Sequence, residues 1–211
     1  GVCIGSGLGG SIQVHRGEYN LKANNEECVG FGAITGQADI ELNYCHIEAD
    51  FIVGTGVLIG SLKNNADMTI CQTSVYYYGF GKKLSVFGTV GGGKATINTM
   101  SIGAEIKVTA DDSTIFGALN GRSELNLVES ALKLENSGRN ALLFGGYGSD
   151  TVLDLINSDT QATVRSAIGK DTYAPDENIR IVNGRRKIIV NETELERPLI
   201  YDFGWKNDDS K

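Results

Sequence analysis

The sequence is poor in the residues that mark several common classes of protein. Its 211 residues include 2 prolines, 4 cysteines, 2 histidines and 1 tryptophan. No apolar run approaches the roughly 18 to 20 residues that a membrane-spanning helix needs, so we expect no membrane insertion. Acidic residues outnumber basic ones by 26 to 19, and the net charge of -7 opposes binding to nucleic acid. The same charge favours a neutral glycan or a protein as partner over an acidic polysaccharide.

Glycine, by contrast, is abundant and regularly placed. The chain has 28 glycines, and seven of them follow an isoleucine or phenylalanine at a nearly constant spacing. Subtraction of residue numbers gives successive offsets of 27, 28, 28, 29, 28 and 24 residues. A fixed period of this length indicates one structural unit stacked on copies of itself, because a single unit cannot bury its apolar side alone. The pairs are Ile4-Gly5, Phe31-Gly32, Ile59-Gly60, Phe87-Gly88, Phe116-Gly117, Phe144-Gly145 and Ile168-Gly169.

Two short segments of alternating apolar and polar residues lie between successive pairs, as expected for strands with one face inward. The first begins at Ile12, Ile40, Met68, Ile97, Leu125 and Leu153, and the second at Tyr19, Ile47, Val75, Ile106 and Leu132. Small or polar corner residues, such as Arg16-Gly17 and Gln72-Thr73, suit left-handed turns. The pattern predicts an all-β fold: a single-stranded, right-handed parallel β-helix of about seven coils, each of about 28 residues with three strands and three corners.

The two ends of the chain are expected to differ. Residues 1–165 are predicted to form the coils, and residues 166–211 a shortened last coil or hairpin, a capping segment and a tail. A cap is expected because an uncovered last coil exposes unpaired strand edges. Segment 179–190 has two interpretations, a corner of the seventh coil or a hairpin with a two-residue turn at Asn183-Gly184.

The first coil carries a recognisable repeat. Residues 1–10 read GVCIGSGLGG, and residues 12–23 read IQVHRGEYNLKA. This stretch resembles a repeat of Gram-positive and gut-bacterial surface proteins, with the form GxGIGGG followed by IxIxGGxIxA, and the likeness covers about residues 1–165. The resemblance implies right-handed parallel β-helix domains of adhesin-like or carbohydrate-binding type. Some relatives are thought to bind calcium through clustered aspartates, but Asp39, Asp67 and Glu124 stand one per coil here, so we expect no metal site and no cofactor.

The cysteines follow no zinc-ligand spacing. Within the repeat, Cys45 is two positions out of register with Cys71, and Cys3 is likewise displaced from Cys28. Such a displacement adds about 6.6 Å along a strand to the roughly 4.8 Å between strands, which exceeds normal disulfide reach. Buried thiols are therefore expected, with disulfides as the alternative.

No catalytic residue is predicted. The sequence lacks the G-H-G and R-I-K strings of polygalacturonases, and no calcium carboxylates with a basic residue are recognisable on one face, as a β-helix lyase would need. The repeat is expected to place neither His15 nor His46 beside an Asp and a Ser or Cys in the same column. His46 aligns with Glu18, which predicts an outward ion pair. The alternative is a polysaccharide lyase or hydrolase whose catalytic residues are not recognisable.

The most unusual local feature is the aromatic string at residues 76–80, YYYGF. Alternation along a strand points Tyr77 inward and Tyr76 and Tyr78 outward. Exposed aromatic rings are common platforms for sugars and for protein partners. The predicted ligand-binding residues are Tyr76, Tyr78, Phe80 and Tyr44. The alternative is that these aromatic residues only shield the sheet.

Together these observations favour a non-catalytic bacterial module, adhesin-like or glycan-binding. Its rigid β-helix face would meet a neutral glycan or a host or bacterial surface protein. The chain opens within the pattern at Gly1 and shows no charged and apolar leader, so we expect a fragment or a processed chain, extracellular or at the cell surface. A purely structural stalk is the remaining alternative.

Overall fold

A computed structural model describes the backbone of residues 1–138, 140–145, 153–156, 159–164, 166–168, 179–182, 186–190 and 199–201. Side chains are described for residues 1–138, 141–143 and 145. The regular structure of these residues is entirely β, and none of them belongs to a helix long and apolar enough to span a membrane. The strands are β1 Val2–Ser6, β2 Gly10–Ala33, β3 Ala38–Ser61, β4 Ala66–Cys71, β5 Ser74–Thr89, β6 Lys94–Met100, β7 Gly103–Ala118, β8 Arg122–Val128, β9 Ala131–Ser137, β10 Asn140–Phe144, β11 Leu153–Ile156, β12 Asp159–Val164, β13 Ser166–Ile168, β14 Ile179–Val182, β15 Arg186–Val190 and β16 Leu199–Tyr201.

Parallel pairing of each turn with the next confirms the predicted stacking. Residues of the first alternating segment pair in one column, which runs Ile12, Ile40, Met68, Ile97 and Leu125. The strands build a parallel β-solenoid of about five turns. The repeat in the sequence is therefore the circumference of one turn.

The corners between the first two segments contain left-handed residues, as predicted. Each is made by one non-glycine residue in the left-handed region, at Arg16, Tyr44, Gln72, Ser101 and Glu129, with φ between 46° and 63°. In the first two turns the pairing resumes on both sides of this residue, so β2 and β3 run as single strands of 24 residues rather than three short ones. In the following turns the corner separates β4 from β5, β6 from β7 and β8 from β9.

The repeated glycines form a column on the third side of the solenoid. Gly32, Gly60, Gly88 and Gly117 pair in register, and all have φ between 110° and 146°. A Cβ placed on Gly60 would overlap the carbonyl oxygen of Gly88 in the next turn. The periodic glycine therefore marks the closest approach of backbone between turns.

Apolar side chains fill the interior and also close the third side of the solenoid. Phe31, Ile59 and Phe87 are fully buried in the main core. Val29 and Val57, which precede two of them by two positions, are buried in a second cluster with Leu62 and Val90. Along these turns the third side is closed, so the outward residues of the other two sides are the accessible faces.

The pairing of the C-terminal strands decides between the two interpretations of segment 179–190. Strand β14 pairs in parallel with β11, and β15 pairs in parallel with β12, as in a further turn. Segment 179–190 is therefore not a hairpin in which β14 and β15 pair with each other. Strand β16 pairs antiparallel with β15, the single antiparallel pair among the described strands. Asn183 and Gly184, the expected hairpin turn, lie outside the described residues.

The four cysteines are free thiols, but they are not uniformly buried. Cys28 and Cys45 are buried, Cys71 is intermediate and Cys3 is exposed. The sulfur atoms of Cys3 and Cys28 lie 4.0 Å apart, much closer than their register suggested. The expectation of free thiols is therefore confirmed, although Cys3 is exposed rather than buried.

Candidate functional site

Strand β5 carries a row of exposed aromatic side chains. Tyr76, Tyr78 and Phe80 are 49%, 45% and 51% exposed, whereas Val75 and Tyr77 beside them are buried. This confirms the predicted alternation. Because every second residue of a strand points to the same side, the three rings follow one another at steps of about 6.6 Å. They form a continuous aromatic row on the outer surface.

The chemistry beside this row changes along its length. Tyr76 lies between Glu48 of the previous turn and Glu105 of the next. Tyr78 lies between Asp50 and Lys107 in the same way. We call this surface the aromatic face, meaning the outward residues of 18–24, 46–52, 74–80, 103–109 and 131–137. At its far end Phe80 lies between Ile52, which is 49% exposed, and Thr109, so the face runs from charged to apolar.

Most of the charged groups on the aromatic face are already engaged within it. The Lys133 ammonium donates to Glu105 Oε1 at 2.6 Å, and the Glu105 carboxylate raises the pKa of Lys133. The Lys107 ammonium lies 3.3 Å from Glu135 Oε1. Asp50, in contrast, makes no hydrogen bond or ion pair with any side chain that the structure describes. Asp50 is therefore free to meet a group from outside.

A shallow depression of about 430 Å³ lies beside the two tyrosines. Its polar lining comes from Asn20, Lys22, Glu48, Asp50 and Glu105. Its volume falls within the usual range for small-molecule sites, but it is largely open to solvent. Such a surface suits a ring or chain that lies along the strands.

Tyr44, the fourth predicted residue, belongs to a different part of the surface. It is the left-handed corner residue of the second turn, in the column of Arg16 and Gln72. Its ring lies 5.4 Å from the His15 ring, and the Arg16 guanidinium lies 5.7 Å from its centre. The structure thus brings Tyr76, Tyr78 and Phe80 together and places Tyr44 at the corner that begins the same side.

His46 makes different contacts from those predicted. It pairs in register with Glu18, as expected, but its Nδ1 lies 2.7 Å from Ser74 Oγ and its Nε2 lies 3.3 Å from Glu48 Oε1. No Asp lies beside His46 in its column, as expected, but the contact with Ser74 and the approach of Glu48 along the strand were not predicted. Ser74 occupies the same column as His46 in the next turn, and Glu48 follows two residues along the same strand. The signal was present in the sequence, because Ser74 follows His46 by one repeat of 28 residues.

The other accessible side of the solenoid is acidic. Gln37 Nε2 donates to Asp39 Oδ1 at 2.8 Å and to Asp67 Oδ2 at 3.1 Å, above a depression of about 250 Å³. Among the residues with described side chains, no group of three or more His, Cys, Asp or Glu residues is arranged to hold a metal ion. Asp39 and Asp67 are stacked carboxylates that share the Gln37 amide, and Glu124 in the same column pairs with Lys94 at 2.6 Å.

The described residues thus form a parallel β-solenoid that carries a row of exposed aromatic side chains on one lateral face. Searches against protein-family models, curated proteins and solved structures found no match to this chain.

Proposed function

We propose that the protein is a non-catalytic bacterial module, secreted or displayed at the cell surface, whose aromatic face binds a neutral carbohydrate or a protein. One observation carries the proposal: Tyr76, Tyr78 and Phe80 are about half exposed in a single row while Val75 and Tyr77 are buried. Apolar rings at the surface gain from being covered, and aromatic rings stack on sugars and on protein side chains. The similarity of the first coil to repeats of adhesin-like surface proteins supports the same proposal.

The polar groups around the row fit this role. Glu48 and Asp50 on one side and Glu105 on the other can accept hydrogen bonds from hydroxyl or amide groups of a ligand lying on the rings. The chain's net charge of -7 disfavours a polyanionic ligand. The rigid stacking of turns holds the row in place before binding, which reduces the entropy lost on association.

The test is binding of the full chain to glycan and protein arrays, followed by titration of any ligand found. The double variant Tyr76→Ala, Tyr78→Ala should bind that ligand at least about tenfold more weakly, because two stacking surfaces are lost. Met100→Ala is the matched control, since Met100 is 49% exposed but lies outside the aromatic face. Unchanged binding by the double variant would contradict the proposal.

The hand of the solenoid, its number of coils and its C-terminal cap are also proposed. We propose a right-handed solenoid of about seven coils, since strand twist favours that hand. The C-terminal segment is proposed to act as a cap, and the antiparallel pairing of β16 with β15 supports this because it covers a strand edge. Electron density from a crystal of the full chain would test hand, coil number and cap together.

A second candidate function is supported by a separate observation. Ser74, His46 and Glu48 form a hydrogen-bonded series, the arrangement by which a hydroxyl is activated as a nucleophile. The series adjoins Tyr76, whose ring lies 5.5 Å from the His46 ring. The candidate is therefore a carbohydrate-active enzyme of the β-helix class. Turnover of ester or glycoside substrates that Ser74→Ala abolishes would support this candidate, and ligand binding without turnover would support the first. If neither binding nor turnover is detected, a purely structural stalk is the remaining candidate.

A further inference from the structure

We propose that the aromatic face pairs with the same face of a second copy of this chain. The inference rests on the proposed function, in that it takes the aromatic face to be a binding surface, and it names the protein partner. It is carried by one row of side chains across five stacked strands: Lys22, Asp50, Tyr78, Lys107 and Glu135.

The row is self-complementary about its central tyrosine. Its charges read positive, negative, aromatic, positive, negative, so each position has the opposite sign to the position equally far on the other side of Tyr78. A symmetric dimer places one surface patch on the same patch of its partner. A two-fold axis through Tyr78 and parallel to β5 would set Asp50 of one copy against Lys107 of the other, and Lys22 against Glu135.

The same charges exclude the other simple arrangement. An axis through Tyr78 along the stacking direction would set Asp50 against Asp50, Lys107 against Lys107 and Lys22 against Lys22 of the second copy. Like charges facing each other across an interface are repulsive. Charge therefore selects the axis parallel to the strands, in which the strands of both copies run the same way and the two solenoid axes are opposed.

The aromatic row occupies the centre of this pairing. Tyr76, Tyr78 and Phe80 would each lie against the same residue of the second copy, with sheets packed at the usual face-to-face distance of about 10 Å. One contact opposes association, because Glu48 would face Glu105 of the second copy. Glu105 is already paired with Lys133 at 2.6 Å in its own chain, which reduces this repulsion. The Lys107–Glu135 pair at 3.3 Å likewise reduces the attraction that these two groups supply, in keeping with a weak association.

The dimensions of the face predict a weak association. Five strands about 4.8 Å apart and seven residues at about 3.3 Å give a footprint of roughly 20 by 20 Å, or about 800 Å² buried in total. Interfaces of this size belong to transient complexes. We expect a dissociation constant of about 10 µM to 1 mM, which becomes effective where many copies are displayed side by side.

The test is sedimentation equilibrium of the full chain up to about 1 mM, with two charge-reversal variants. Asp50→Lys sets a lysine against Lys107 of the second copy, and Lys107→Asp sets an aspartate against Asp50. Each contact occurs twice by symmetry, so each variant should dimerise at least about tenfold more weakly. An equimolar mixture of the two variants should recover association, because both contacts between positions 50 and 107 then join opposite charges. If either variant failed to fold, the mixture would not recover association, so recovery excludes a folding defect as the cause of the weaker dimerisation. Asp67→Lys, an equal change on the acidic side, should leave association unchanged.

Three results would overturn the inference: a chain that is monomeric at about 1 mM, dimerisation insensitive to Asp50→Lys, or a mixture that associates no better than the separate variants. These outcomes are separable from the proposed function. If the chain stays monomeric but its array ligand is lost with Tyr76→Ala, Tyr78→Ala, self-association is refuted and the binding face stands. If the charge variants behave as expected while the arrays are silent, self-association is supported and the proposal of an external ligand fails.

Discussion

Replacement of Gly60 by alanine tests the reason for the repeat most directly. Gly60 has φ of 146°, a backbone conformation that residues with a side chain rarely adopt. A Cβ at this position would also overlap the carbonyl oxygen of Gly88 and lie near Val57 Cγ1 at 3.1 Å. Gly60 pairs with Gly32 on one side and with Gly88 on the other, so it has no free edge toward which to move.

The expected cost follows from these two effects. A residue held in a sparsely populated backbone region costs of order 1 to 3 kcal/mol. Relief of the overlap requires Gly60 to shift away from Gly88, which weakens hydrogen bonds between turns worth about 1 kcal/mol each. Gly60→Ala should therefore lower the free energy of unfolding by about 3 to 5 kcal/mol. That is a large share of the roughly 5 to 15 kcal/mol typical of folded domains.

The measurement is urea denaturation of the full chain followed by far-UV circular dichroism. Gly103→Ala is the matched control, because a Cβ on Gly103 would meet nothing within 4 Å and its φ is not in the left-handed region. The control should change the free energy of unfolding by less than about 0.5 kcal/mol. A loss below about 1 kcal/mol for Gly60→Ala would refute the argument that close backbone contact fixes the repeated glycine.

Three further changes should alter stability in stated directions. Gln72→Asn should raise the free energy of unfolding by about 0.5 to 1 kcal/mol in urea titrations, since asparagine tolerates the φ of 46° better than glutamine does; a loss of stability would show that Gln72 has another role. Tyr77→Phe should raise it by about 1 to 2 kcal/mol, because the buried hydroxyl has no hydrogen-bond partner in the described structure, and a decrease of that size would reveal a missed partner. Burial raises the pKa of Cys28 to about 12 from 9.0 and also raises that of Tyr77, so the unfolded chain releases protons first and stability should fall as pH rises from about 9 to 12. The urea midpoint at about pH 8 and about pH 10.5 measures this fall, and an equal fall in Cys28→Ala would rule out the cysteine as a source.

The fold could be predicted from the sequence because the stacked turns require the same type of inward side chain at the same position of every turn. Ile40, Met68 and Ile97 share one inward position and one requirement, which is an apolar side chain of moderate size. The alignment of the second alternating segment was wrong in the turn where a smaller inward residue suffices. Val75 was aligned with Ile106, but it pairs with Ala104, a small inward residue that gives little apolar signal.

The contacts of the candidate site were harder to predict, because they join residues that are one repeat apart and point outward. His46 meets Ser74 at 2.7 Å only because the two occupy the same column in neighbouring turns. The sulfur atoms of Cys3 and Cys28 approach to 4.0 Å, a contact between free thiols that backbone register did not indicate. Side-chain direction, which alternation and period do not specify, decides both contacts.

The aromatic row lies at outward positions, where the stacking of turns does not require the same type of residue in every turn. Across one outward column the residues are Asn20, Glu48, Tyr76, Glu105 and Lys133, which mix an amide, two carboxylates, an aromatic ring and an ammonium. The inward column beside them is buried from Ile47 through Val75 and Ala104 to Leu132. Packing between turns therefore does not account for three aromatic side chains on one strand, and water penalises their exposure. A surface feature that stability does not require, on a scaffold that tolerates any outward residue, is the part of this molecule where binding is expected.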